Sequence, residues 1–186
     1  KFSQYAAIPA SLEWQQLLNR EIPILMNEIE KYQDYFREIS SPEIVHTDLR
    51  LENVIAKDSK VSGIVDFDDV LFGRQAYDLS KIMIEVFGYK DSHSNKLVQL
   101  INLDGFGEFV RVYNKNRRIM ASQTLVKEVA DLATLPSVHV LSLVGRDPDF
   151  DDNERTKNVV WYSNAVRVMK NKENLQTIRS KLKQIK

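Results

Sequence analysis

Residues 43–66 break the rhythm of the chain. Before and after them, apolar residues recur at three- and four-residue intervals, the spacing that lines one face of a helix. Within them the pattern shortens to β-type runs: Glu43-Ile44-Val45-His46, Asn53-Val54-Ile55-Ala56 and Val61-Ser62-Gly63-Ile64-Val65-Asp66, with Lys57-Asp58-Ser59-Lys60 as a turn. Strands this short and few do not bury enough apolar surface to stand alone. The chain is therefore expected to be mainly α, of α+β type: a helical body carrying a small β-hairpin.

On the N-terminal side, Ser11 is placed to cap a helix bearing Leu12, Leu17 and Leu18. Pro23 then interrupts, and Ile24, Leu25, Ile29, Tyr32, Tyr35 and Phe36 resume the spacing, which predicts a pair of helices. After the insert, about six helices follow by the same periodicity. Leu79, Ile82, Met83 and Val86 form one stripe, and Phe106, Phe109, Val110 and Tyr113 another. Ser122 precedes Leu125, Val129, Leu132 and Ala133, and Pro136 stands where a first helical turn begins. Asp151 and Asp152 precede Val159, Val160, Tyr162, Ala165 and Val166, and Asn171 with Asn174 opens a last helix with Leu175, Ile178, Leu182 and Ile185. Without a repeat or a low-complexity linker, residues 1–186 read as a single domain.

Charge and composition narrow the function. Lys plus Arg number 26 and Asp plus Glu 26, so the basic surplus of a nucleic-acid binder is missing. A small anionic ligand such as a nucleotide needs only local charge and stays open. Cysteine is absent, which excludes disulfides, thiolate zinc sites and cysteine nucleophiles. No run approaches the roughly 20 apolar residues of a membrane span, and no signal peptide is visible. The expectation is a cytoplasmic protein with neither membrane nor nucleic acid as partner.

The polar residues of the insert form a spaced set. His46-Thr47-Asp48-Leu49-Arg50-Leu51-Glu52-Asn53 puts an Asn five residues after Asp48, and Ile64-Val65-Asp66-Phe67-Asp68 puts a second Asp eighteen after it. A short loop between β segments lets Asp48 and Asn53 face one point, and the hairpin return brings Asp66 there. Arg74-Gln75-Ala76-Tyr77-Asp78-Leu79-Ser80 starts a helix almost at once. Together these motifs resemble the catalytic core of the aminoglycoside phosphotransferase and choline-kinase-like family, tightly over residues 44–83. A protein kinase would carry Gly where Asp68 stands and an activation segment ending in Ala-Pro-Glu, and this chain has neither.

The resemblance implies the helical C-terminal lobe of a kinase-like fold. It also implies transfer of the γ-phosphoryl of ATP to a hydroxyl of a small molecule of aminoglycoside, amino-alcohol or sugar type. It makes Asp48 the catalytic base and places Arg50 where protein kinases carry a phosphate-contacting Lys. Asn53 and Asp66 become ligands of magnesium on ATP, so the implied cofactors are ATP and Mg2+. His46 becomes a structural member of the loop, and Asp78 either caps the next helix or braces the loop. Thr47 stands where the family most often has Gly.

The nucleotide lobe of such enzymes is not visible. Among six glycines, Gly105-Phe106-Gly107 makes a Gly-x-Gly but Val110 fills the third position, and no Gly-x-x-x-x-Gly-Lys occurs. With Lys1 in place of Met, the expectation is a lobe cut from a longer phosphotransferase. Such a lobe is expected to be inactive alone and to self-associate through the uncovered face. The alternative is a non-catalytic, pseudokinase-like binding module, against which the intact Asp48, Asn53 and Asp66 argue.

Singly, each Asp and Asn of the set is an ordinary turn residue; the spacing is what gives the set meaning. The run from Arg146 to Glu154 carries Asp147, Asp149, Asp151 and Asp152. It reads as acid gathered at a helix N-terminus, or as a wall attracting an amine-bearing acceptor together with Asp68 and Asp69. His93 and His139 read as structural, and Trp14 and Trp161 as packing residues.

Overall fold

A computed structural model describes residues 12–37, 43–89, 94–116, 123–144 and 151–183. Helix α1 (Glu13–Arg37) leads into β1 (Glu43–Val45), a 3-10 turn (Leu51–Asn53), β2 (Val54–Lys57), β3 (Lys60–Ile64) and β4 (Leu71–Gly73). Then come α2 (Gln75–Glu85), a single turn α3 (Leu97–Leu100), α4 (Leu103–Asn116), α5 (Gln123–Asp131), α6 (Leu135–Leu143), α7 (Asp152–Met169) and α8 (Lys172–Lys183). The architecture is mostly helical, as the periodicity indicates, and it carries two small antiparallel sheets.

Helix α1 departs from expectation by running unbroken through Pro23. A proline inside a helix removes one ladder bond and crowds the preceding turn. Here Trp14, Leu18, Glu21, Leu25, Glu28 and Tyr32 form one buried stripe across it, at alternating four- and three-residue steps that hold a helix against its neighbours. Those neighbours are α6 and α7. Its two buried acids are paired, Glu21 with Arg167 at 2.5 Å and Glu28 with the Thr134 hydroxyl at 2.9 Å, as buried carboxylates must be.

The hairpin β2–β3 closes through Asp58 and Ser59, at φ 51° and 59°. Two consecutive left-handed residues are what a two-residue turn between twisted strands requires. The second sheet, β1 with β4, is absent from the sequence reading, because Leu71-Phe72-Gly73 is too short to carry a period. It pairs Glu43 with Gly73 and Val45 with Leu71. A Cβ on Gly73 would stand 3.0 Å from both Val45 and Leu71 side chains, so a larger residue fits there only if those side chains give way.

Helix α2 lies at the centre, packed on α5 and α6 and touching β1. The remaining helices close around it: α7 on α1 and α6, and α8 on α4 and α5. Phe106 is fully buried beside Phe87, 5.7 Å between rings. Trp14 and Trp161 are both buried, their indole N–H groups donating to Asp152 and to the Tyr89 carbonyl. Pro136 sits in the first turn of α6. Ser122 and His93 lie outside the described residues. No described helix is long and apolar enough to cross a membrane.

Candidate active site

The site is built on the face of α2 that looks at the loop after β1. Asp78, in the first turn of α2, accepts backbone N–H bonds from His46 at Oδ2 and from Thr47 at Oδ1, both at 2.8 Å. Its carboxylate braces the loop. Burial pushes its pKa up, against the lowering effect of the two N–H donors. Thr47 is held at φ 68°, a left-handed conformation that costs a β-branched residue energy and persists only where the surroundings impose it. Two bonds impose it here: the one to Asp78, and a second from the Thr47 hydroxyl to the Asp69 carbonyl at 3.0 Å. His46 Nε2 donates to the Val65 carbonyl at 3.0 Å, and its ring lies 4.7 Å from that of Phe67. The histidine thereby ties the loop to the segment carrying Asp66.

Asp48 is surrounded by cations and one amide. Asn53 Nδ2 donates to the Asp48 carbonyl at 2.9 Å and to its Oδ2 at 3.0 Å. Arg50 Nε stands 3.4 Å from Oδ2, and Lys81 Nζ 3.2 Å from Oδ1. Burial raises the acid, but Lys81, Arg50 and the Asn53 amide together outweigh it and hold the Asp48 carboxyl below the ordinary aspartate value. Lys81 also meets Glu85 Oε1 at 3.6 Å, and the Tyr162 hydroxyl donates to that same oxygen at 2.9 Å. Burial, then Glu85, push the Tyr162 phenol up, so it stays a donor.

The hairpin brings the Asp66 segment alongside Asn53: the Val65 N–H bonds the Asn53 carbonyl at 3.0 Å, and Val54 pairs with Ile64. The Asn53 amide N–H faces Asp48, which leaves Oδ1 turned away from it. Asp66 is exposed at φ 66°, with no hydrogen bond or ion pair on its carboxylate among the described residues. Two hard oxygens of this kind suit magnesium, which keeps several waters and leans on substrate phosphates. They make no self-sufficient metal centre; no group of three or more acidic, His or Cys ligands is gathered among the described residues.

Residues 4–100, just over half the chain, match the phosphotransferase enzyme family. The chain belongs to that family. No curated protein and no solved structure matches it. As a family member it is a kinase-like enzyme whose general activity is phosphotransfer. The match spans the site from His46 to Glu85 and ends at α3, so α4 to α8 of this phosphotransferase, Tyr162 among them, lie outside it.

The other candidate residues are dispersed. Asp68 and Asp69 are exposed. Asp69 and Thr47 line a mostly apolar cavity of about 450 Å³ with Tyr77, His139 and Ser142, where the Tyr77 hydroxyl meets His139 Nδ1 at 2.9 Å. Asp151 caps α7, accepting the Glu154 N–H at 2.8 Å in a capping box. Asp152 accepts from Trp14 at 3.0 Å and from Arg155 at 3.3 Å. Asp147 and Asp149 lie outside the described residues. Lys81, Glu85 and Tyr162 are the site residues that sequence reasoning missed in this phosphotransferase. A signal existed: Asp78, Lys81 and Glu85 fall three and four residues apart, on one face of α2.

Proposed function

We infer that this protein is an ATP-dependent phosphotransferase that moves the γ-phosphoryl group of ATP to a hydroxyl of a small molecule. The observation that carries this reading is the joining of Asp48 to Asn53 by two hydrogen bonds, with Asp66 at the hairpin return beside Asn53. Asp48 orients the acceptor hydroxyl and takes its proton as the oxygen bonds to the γ-phosphorus. The bond from that phosphorus to the bridging oxygen breaks, and ADP leaves. The Asn53 Oδ1 and the Asp66 carboxylate would hold Mg2+. When bound, the metal neutralises charge on the ATP phosphates. Arg50, beside Asp48 and half exposed, supplies a cation that follows the transferred group.

Asp48 suits the task by being ionised and reachable. Its side chain keeps 28% of its surface open, and its cationic neighbours keep it deprotonated well below neutral pH. Phosphoryl transfer demands positioning and charge stabilisation more than covalent chemistry, and each oxygen of Asp48 is aimed by a partner on a different element.

The test is ADP release by the full-length protein, with Mg2+ and ATP, against panels of sugars, polyols, amino alcohols and aminoglycosides. Acceptor-dependent release that disappears in Asp48→Asn supports the reading. Magnesium-dependent ATP binding with no turnover of any acceptor would instead favour a non-catalytic binding module. Residues 1–186 by themselves are expected to release no ADP, because the sequence carries no glycine-rich loop to cradle the phosphates.

A further inference from the structure

Lys81 is an ammonium with almost no access to water. Its side chain is 5% exposed, and that of its second partner, Glu85, 3%. Burying a charge so fully is unfavourable unless it is paired, and Lys81 is paired twice, with Asp48 at 3.2 Å and Glu85 at 3.6 Å. Tyr162, from α7, donates to the Glu85 oxygen that meets Lys81, at 2.9 Å. The position next to the base is thus a slot between two carboxylates, and the protein's own ammonium fills it.

We propose that Lys81 is a specificity-determining residue which occupies the subsite an acceptor's amine would take beside Asp48, so that the acceptor presents uncharged groups around its reacting hydroxyl. The substrate class is a neutral sugar or polyol, in preference to an amino alcohol or an amino sugar with the amine next to that hydroxyl. The charges argue for it directly. Asp48 already meets two cations, Lys81 at 3.2 Å and Arg50 at 3.4 Å, and Glu85 meets Lys81 at 3.6 Å, while Glu52 stands at the outer edge, 3.9 Å from Arg50. An ammonium arriving with its hydroxyl on Asp48 finds the two carboxylates next to it, Asp48 and Glu85, already paired with Lys81. It also meets Lys81, whose nitrogen already sits on Oδ1, and a like charge in a partly desolvated site is a strong rejecting element. Nor can Glu85 be recruited, since its side chain is buried and its Oε1 already takes both Lys81 and Tyr162. The exposed Asp68 and Asp69 leave room for a distant amine, and the exclusion applies to one adjacent to the reacting oxygen.

This inference rests on the phosphotransferase reading, and matched acceptors separate the two. With the full-length protein, Mg2+ and ATP, kcat/KM is measured for glycerol against 2-amino-1,3-propanediol and for glucose against glucosamine, within a wider set of nucleosides, hydroxy acids, choline and kanamycin. Uncharged members are expected to lead their amine partners by roughly tenfold or more. In Lys81→Met, which reopens the slot, the ratio is expected to move toward the amine by a similar factor. A wild-type preference for the amine member overturns the inference and leaves phosphotransfer standing, and so does a ratio that Lys81→Met leaves unmoved. If Lys81→Met does not fold, Glu85→Gln serves instead. It keeps the ammonium and removes one compensating charge, so discrimination against amines should hold or steepen, and relaxation toward them overturns the proposal. Absence of ADP release with every acceptor removes the phosphotransferase reading itself, and this inference with it.

Discussion

The helical body and the β segment of residues 43–73 are held together by different forces. In the body, Leu18, Met83, Phe106, Leu141 and Met169 are fully buried in one continuous core. In the β segment the arrangement is inverted. Ile44, Val61 and Phe72 stand 68%, 68% and 73% exposed, and Val45 alone of its apolar side chains is buried, while His46, Thr47 and Asn53 lie inside. Apolar contact is non-directional and tolerates many arrangements. Hydrogen bonds fix atoms, and the loop is fixed by them: Asp78 on two backbone N–H groups, His46 on Val65, Asn53 on Asp48. The molecule spends burial on standing up and directional bonds on aiming the site.

If that division is real, substitutions in the two regions should separate cleanly. The largest effect is expected for Asp48→Asn in the full-length protein: a loss of turnover on the order of 10²–10⁴ with ATP affinity nearly unchanged. Steady-state kinetics beside nucleotide titration checks it, and retained turnover breaks the assignment. Next comes the body. Phe106→Ala empties a site packed by Phe87 and Phe109 and should cost about 3–5 kcal/mol of unfolding free energy, read by urea denaturation.

Asp78→Ala falls between the regions. It leaves two backbone N–H groups without an acceptor, a loss of about 1–3 kcal/mol. Activity should fall further than that stability loss explains, because Thr47 is released from its left-handed conformation. An equal loss in both would blur the division.

Acid provides a smaller, signed test. Asp48 is lowered in the fold, so its stabilising contribution is present above the ordinary aspartate value and lost as pH falls through its own. Asp78 is raised, so the fold holds its proton longer than the unfolded chain does, and stability from this group declines as pH rises through its folded value. Denaturation series across the carboxylate range should therefore show Asp48→Asn flattening the loss on acidification and Asp78→Asn removing a decline on the alkaline side. Like-signed changes would contradict the opposite environments. Smallest of all is Phe72→Ser, expected to stay within about 0.5 kcal/mol. A larger loss would mean that the β segment does contribute to the core after all.

Much of this was legible in residue order, because helical periodicity and motif spacing are local properties. The set Asp48, Asn53 and Asp66 lies within one short stretch, so its geometry follows from a loop and a hairpin return. The stripes of α4, α7 and α8, the proline in the first turn of α6 and the Asp151 cap are equally local. What residue order could not reveal depends on distance. Pro23 reads as a break until α6 and α7 are present to hold α1 in one continuous helix. Leu71-Phe72-Gly73 becomes a strand only when β1 lies beside it. Lys81 and Glu85 look like any solvated pair on a helix, and Tyr162 like one more core aromatic. Only the packing of α2 against the loop on one side and α7 on the other closes them around Asp48. A buried ammonium differs from a surface one by what surrounds it, and those surroundings join residues 77 positions apart, Glu85 and Tyr162.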